Sequence, residues 1–220
     1  MGENLTEEGG LFSWIQYEVT VAAKGIINGL SSIQNDGADF GPDSIDLGYP
    51  SKTSGIAEAM ASVQFSPEYK CQVSLISKGS TFYYVSEGVS LVSNVIISGG
   101  STLEKSVIYA SEVCRSDNIV ILSGQVSGVT IANITFISCT TSFSSTTLSC
   151  IDLSQSHSDT YNCIINVEVV GWFRWDVIDL TGNDNSIVIN LEVTVHTTGN
   201  PFVCDARSVP LIFNSSFVKL

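Results

Sequence analysis

Four seven-residue segments of this chain align without a gap: Ile131-Ala-Asn-Ile-Thr-Phe-Ile137, Ile164-Ile-Asn-Val-Glu-Val-Val170, Val188-Ile-Asn-Leu-Glu-Val-Thr194 and Ile212-Phe-Asn-Ser-Ser-Phe-Val218. Their asparagines, Asn133, Asn166, Asn190 and Asn214, recur at spacings of 33, 24 and 24. Recurrence at 20 to 50 residues marks a stacked repeat, in which each unit buries its apolar face on the next. Each period holds several short runs of valine and isoleucine and no helical pattern. Those two residues make up about a fifth of the chain, as a pleated sheet favours. The fold class expected is therefore all-β: a single-stranded parallel β-helix of five or six coils, each pairing with the one before.

In such a stack a residue that recurs once per coil becomes a ladder, with rungs about 4.8 Å apart. Asparagine suits a sharp corner because it tolerates the left-handed backbone region, and its amide can bond to the next asparagine. Asn133, Asn166, Asn190 and Asn214 are thus read as a structural ladder. A second series pairs Asn94 with Asn118, each preceding an apolar run, again 24 apart. A third places Asp152, Asp179 and Asp205 at spacings of 27 and 26. The stretch Thr140 to Thr147 is expected to bulge from one corner. Asn4, Asn133 and Asn214 match the glycosylation triplet, but an inner-corner asparagine could not carry a glycan.

Charge divides the chain. Residues 1–46 hold eight acids and one base, out of a net charge of −13. This balance disfavours sequence-independent nucleic-acid binding, which needs a cationic surface. No apolar run reaches the ~20 residues of a membrane span. The acidic start lacks the basic region of a secretory signal, so none is expected in these residues. Within the acidic stretch, Leu11 to Ile33 is apolar and needs a cover, either its own domain or a neighbouring subunit. We divide the chain into an N-terminal arm, 1–45, and a β-helix domain, 46–220. Leu11, Phe12, Trp14 and Ile15 are the oligomerisation candidates.

Between arm and repeats run Asp36-Gly-Ala-Asp-Phe-Gly-Pro-Asp43, Thr53-Ser-Gly-Ile-Ala-Glu-Ala-Met60, Val73 to Tyr83, and Val89-Ser-Leu-Val-Ser-Asn-Val-Ile-Ile-Ser-Gly-Gly100. This order resembles the entry of pectate-lyase-like right-handed parallel β-helix proteins. The superfamily includes polysaccharide lyases and hydrolases, phage tailspikes, and viral spike or fibre proteins. The resemblance implies right-handed coils and an N-terminal capping helix, and says little about activity. An amphipathic helix at 55–64 would cover unpaired backbone groups and the apolar interior of the first coil. The last residues, Phe217 to Leu220, keep a strand pattern. Either another subunit covers that end, or the terminal residues fold across it.

Chemistry is sparse. The acid, Gly-His-Gly and Arg-x-Lys series of the superfamily's hydrolases does not occur, nor do the elements of its lyases, so the chain leans away from being an enzyme. Asp152, Asp179 and Asp205 remain weak catalytic candidates: a stacked acidic ladder would be relieved by a cation or a sugar. The bland account is that they cap turns. Asp176 and Asp184 could join them. Trp172, Arg174 and Trp175 form the densest aromatic cluster, suited to sugar stacking or to a subunit contact. Tyr83-Tyr84 is a weaker one. The six cysteines show no metal spacing, and buried thiols are expected. No cofactor and no metal is implied.

Three functions are consistent with this pattern. The first is a virion structural protein, a spike, tail or fibre subunit, expected to be a homotrimer. It would contact other virion proteins and a cell-surface glycan, on the virion surface or outside a cell. The others are a polysaccharide lyase or hydrolase of the same fold and a cell-surface adhesin.

Overall fold

The computed structural model describes residues 56, 57, 60, 71–75, 82–99, 105–110, 119–138, 147–155, 160–205 and 210–220. The arm 1–45, its boundary with the next domain, Leu11, Phe12, Trp14, Ile15, the Asp36 to Asp43 motif, Asn118 and the 140–146 bulge lie outside these residues.

Every described element except one is a strand. In chain order they are β1 (Cys71–Ser74), β2 (Phe82–Val85), β3 (Val89–Ser90), β4 (Val95–Ser98), β5 (Ser106–Ala110), β6 (Ile119–Ser123), β7 (Thr130–Ala132), β8 (Ile134–Ser138) and β9 (Thr147–Asp152). There follow β10 (Cys163–Phe173), β11 (Ile178–Asp179), β12 (Ile187–Thr197), β13 (Phe202–Val203), β14 (Leu211–Phe213) and β15 (Ser216–Lys219). All pairings are parallel and join strands one turn apart, which makes the chain an all-β parallel solenoid.

Three columns result. The first stacks β1, β4, β7, the start of β10, the start of β12, and β14. The second stacks β2, β5, β8, the end of β10, the end of β12, and β15. The third stacks β3, β6, β9, β11 and β13. Register sets the turn lengths along the first column. Cys71 pairs Val95, a step of 24; Ile96 pairs Thr130, a step of 34; Thr130 pairs Cys163, a step of 33. Cys163 pairs Ile187 and Ile187 pairs Leu211, two further steps of 24. The elementary turn is thus 24 residues, and the two longer turns carry insertions at corners.

One expectation is corrected here. Asn94 and Asn118 are not equivalent, although 24 residues separate them. Val95–Ile97 belongs to the first column, whereas Ile119–Leu122 belongs to the third and pairs β3 and β9. The turn between them is one of the long ones, so the spacing of 24 carries the chain from one face to another. Asn94 instead stacks on Gly128 at a second corner, where its N–H donates to the Ser127 carbonyl at 2.9 Å. Both take the left-handed backbone, with φ of 61° and 75°.

The interior is filled by ladders of like residues. Val73, Ile97, Ile131, Ile164 and Val188 succeed one another in the first column, and Ile108, Phe136, Val169 and Val193 in the second. Leu122, Ile151 and Ile178 do so in the third. Alternation places them inside because successive side chains of a strand point to opposite faces. Each contributes about 1.5–3 kcal/mol by leaving water. Ile56 and Met60 join the same core from helical backbone. The remainder of the 55–64 segment is not among the described residues. At the other end the terminal residues do not fold across the opening. They build the last strand, and the Leu220 N–H donates to the Val195 carbonyl at 2.9 Å.

Candidate functional site

The asparagine column turns the chain from the first strand column into the second. Asn133, Asn166, Asn190 and Asn214 have φ of 57°, 53°, 51° and 44°, so one left-handed residue makes the bend in each turn. The Asn166 Nδ2 donates to Asn133 Oδ1 at 2.9 Å, and the Asn214 Nδ2 donates to Asn190 Oδ1 at 2.7 Å. The turn before Asn133 has Gly99 at this place: its N–H bonds the Ala132 carbonyl, and a Cβ there would lie 1.9 Å from the Asn133 carbonyl oxygen. The side-chain nitrogen of Asn214 is engaged within the column. These residues shape the corner.

The acidic series breaks after its second member. Asp152 and Asp179 are register partners on β9 and β11. The next partner of Asp179 is Val203, so Asp205 lies two residues beyond the ladder and the three-membered stack does not form. The step of 27 is one turn in register, whereas the turn after Asp179 is 24 residues long, so the step of 26 overshoots by two. Asp152 Oδ1 accepts from the Ser154 N–H at 3.0 Å and the Ser154 hydroxyl at 2.7 Å, and Asp179 Oδ1 accepts from the Thr181 N–H at 2.8 Å. Both carboxylates thereby hold the turn that follows their strand. Asp176 instead ties one turn to the next, accepting from the Asn200 N–H and side-chain amide at 2.6 and 2.9 Å.

The aromatic cluster splits into two environments. Trp172 is half-buried on the outer face of β10, and its register partner His196 stacks on it with ring centroids 4.0 Å apart and 17° between planes. One of its faces is therefore already covered by the protein. Arg174 and Trp175 follow where the strand ends and are both exposed, Trp175 at 54%. The intervening Phe173 is fully buried and anchors the bend from inside.

This exposed corner is tightly tethered. The Arg174 and Trp175 N–H groups donate to the Thr147 and Leu148 carbonyls at 3.0 and 2.8 Å. The Thr197 and Thr198 hydroxyls donate to the Trp175 and Arg174 carbonyls. Next to the cluster, Gly171 has φ +120°, and a Cβ there would lie 2.4 Å from the Ser138 carbonyl oxygen. Trp175 is a large apolar ring on a fixed backbone, with a guanidinium beside it in sequence. Such a pair offers a stacking surface and a fork of hydrogen-bond donors. Tyr83, by contrast, is part of the core and offers neither.

Two arrangements escaped the sequence reading. Glu168 and Glu192 are register partners on the outer face of the second column. Glu168 is partly compensated by Lys105 at 3.8 Å and the Thr135 hydroxyl at 3.3 Å. The other is a buried amide network. Asn162 Nδ2 donates to Asn183 Oδ1 at 2.6 Å and to the Val126 carbonyl at 3.0 Å, while Asn162 Oδ1 accepts from the Val129 N–H. Asn183 Nδ2 reaches the Leu153 and Leu180 carbonyls at 2.7 and 3.1 Å. The 21-residue separation of this pair matches no turn length, so periodicity could not find it. Every buried side-chain nitrogen or oxygen among the described residues has a partner.

No protein-family model, curated protein or solved structure matches the chain.

Its chemistry has to be taken from these groups. Among the described residues no cluster of three or more metal-ligating side chains occurs. Cys150 is buried in the core, and burial holds its thiol well above the ordinary value. The Cys204 thiol is also raised, by burial and then by the neighbouring Asp205 charge. Both shifts lower the fraction of thiolate, the reactive form, at neutral pH. No helix among the described residues is long and apolar enough to cross a membrane.

Proposed function

We propose that this chain is a structural attachment protein of a virion, a spike, tail or fibre subunit, that binds a cell-surface glycan at the Arg174–Trp175 corner. The observation that carries the binding role is the exposure of Trp175 on a backbone tethered to β9 and to Thr197 and Thr198. A backbone held this way has little freedom left to lose when a sugar stacks on the ring it carries, which favours affinity. Trp172, two residues before Arg174, is stacked on His196.

The virion setting rests on the resemblance of the entry segments to pectate-lyase-like β-helix proteins, together with a body built of repeated ladders. A solenoid of this kind makes a stiff shaft, since each turn is bonded to its neighbours along three columns. The homotrimer and the contacts with other virion proteins belong to the same proposal. The polysaccharide-cleaving reading is weaker, because Asp152 and Asp179 already hold turns through their carboxylates.

The test is binding of the full-length protein to host-surface polysaccharide, with Trp175→Ala and Arg174→Ala beside the parent. Loss of at least about tenfold in affinity for Trp175→Ala is expected, as for an exposed aromatic anchor. Unchanged binding by both variants would remove the corner from the function. Depolymerisation of the glycan, abolished in Asp179→Asn, would move the enzyme reading ahead.

A further inference from the structure

The first strand column has two apolar faces. Its inward residues Val95, Ile97, Ile131, Ile164 and Val188 belong to the core cluster. Ile96, Ala132 and Ile189 do not belong to it, yet they are only 1%, 4% and 1% exposed. Neighbouring residues of a strand point to opposite faces, so these three stand on the outside of the solenoid. A side chain on that face is hidden to this degree when something lies over it.

Register extends the observation along the axis. Ile96, Thr130, Cys163, Ile187 and Leu211 form one outer ladder, and Ser98, Ala132, Ile165, Ile189 and Phe213 the other. Neither contains a charged residue. The outer face of the second column differs, since it carries Glu168 and Glu192. A parallel sheet with both faces apolar is one that is covered on both. At the last strand the two ladders emerge, with Leu211 55% and Phe213 46% exposed.

We propose that this outer face seats the apolar segment Leu11 to Ile33 of the same chain. Of the stretches outside the described residues, this alone is long and apolar: 23 residues whose only charges are Glu18 and Lys24. From β4 to β14 the face spans four inter-strand steps, about 19 Å. About 13 residues of helix or about six of strand cover that distance, so the segment suffices in either conformation. A charge-poor segment matches a charge-free face, since neither buries an unpaired ion. Leu11, Phe12, Trp14 and Ile15 then act within the chain and not between subunits. The inference is independent of the proposed attachment role.

Two measurements on the full-length protein test it. A photo-crosslinking amino acid replaces Ile187, and the crosslinked peptides are identified by mass. A crosslink to a peptide within 11–33 of the same polypeptide is expected. A crosslink elsewhere, or a product of doubled mass, overturns the proposal, the latter in favour of a second copy. Cys163 lies in the same ladder, so its alkylation rate reports the cover without any change to the face. In Leu11→Asp/Ile15→Asp the rate rises about tenfold or more as access opens, while core Cys150 stays protected and certifies an intact solenoid. An unchanged Cys163 rate with Cys150 protected overturns the proposal even if the Ile187 variant fails to fold.

Discussion

The side-chain amide of Asn166 donates to the side-chain carbonyl of Asn133 at 2.9 Å, across 33 residues of sequence and one turn of the solenoid. Both residues hold the left-handed backbone, so the side-chain bond and the backbone bend occur at the same residues. Two effects can thus be separated by substitution. Asn166→Gly keeps the backbone and removes the amide bond, at a cost of about 1 kcal/mol. Asn166→Ala removes the bond and strains the backbone, at about 2–3 kcal/mol in all. Urea unfolding of the two variants checks the order. Equal loss would show that the corner does not depend on backbone conformation.

Gly171 sits one residue before Trp172 with φ +120°, and the Ser138 carbonyl oxygen occupies the space of a Cβ. Gly171→Ala is expected to destabilise by at least about 2 kcal/mol, since both strain and overlap act together. The same variant should loosen the corner carrying Trp175, seen as a red shift and easier quenching of tryptophan fluorescence. A variant as stable as the parent would show that β8 and β10 separate there at little cost.

Asn183 is fully buried and bonds three backbone carbonyls, those of Leu153, Leu180 and Thr181. Asn183→Ala removes a donor from each of these carbonyls and an acceptor from the Asn162 amide, although the Leu180 and Thr181 carbonyls keep the Asn183 and Gln155 N–H groups. We expect a loss of about 2–3 kcal/mol, or a Tm lower by about 4–12 °C for a chain of this size. Calorimetry decides, and a Tm within a degree of the parent would mean that water replaces the amide.

Cys150 makes stability depend on alkaline pH. Its thiol is raised by burial in the folded state, whereas in the unfolded chain it titrates near the ordinary value of about 8.5. Above that value the unfolded state has released a proton that the folded state retains, so stability falls as pH rises. The slope contributed is at most about 1.4 kcal/mol per pH unit. Unfolding midpoints between pH 7 and 10 should decline in the parent and decline less in Cys150→Ala. Parallel curves for the two proteins would exclude the thiol as the cause.

Much of the architecture was legible before any coordinates. The recurrence of asparagine between apolar runs points to stacked parallel strands because a solenoid repeats one environment once per turn. It also points to the residue type at the corner, since asparagine tolerates positive φ. The candidate sites were less legible. Asp205 looked like a third rung because spacings of 27 and 26 are nearly equal, but pairing follows backbone hydrogen bonds and placed Val203 opposite Asp179. Asn94 and Asn118 looked equivalent for the opposite reason, since an elementary spacing of 24 fell inside a longer turn.

Sequence alone therefore determined the class of fold, the corner residue and the alternation that fills the interior. Those are properties of a single turn, written into every copy of it. Tertiary structure decided that the turn from β4 to β7 is also a long one, and hence which residues meet. It put the Trp172 ring against His196 and left Trp175 exposed, although the two tryptophans are three residues apart. It joined Asn162 to Asn183, and it hid Ile96 and Ile189 on the outside of the solenoid. Each of these depends on register between turns, a sum of loop lengths that no local pattern reports.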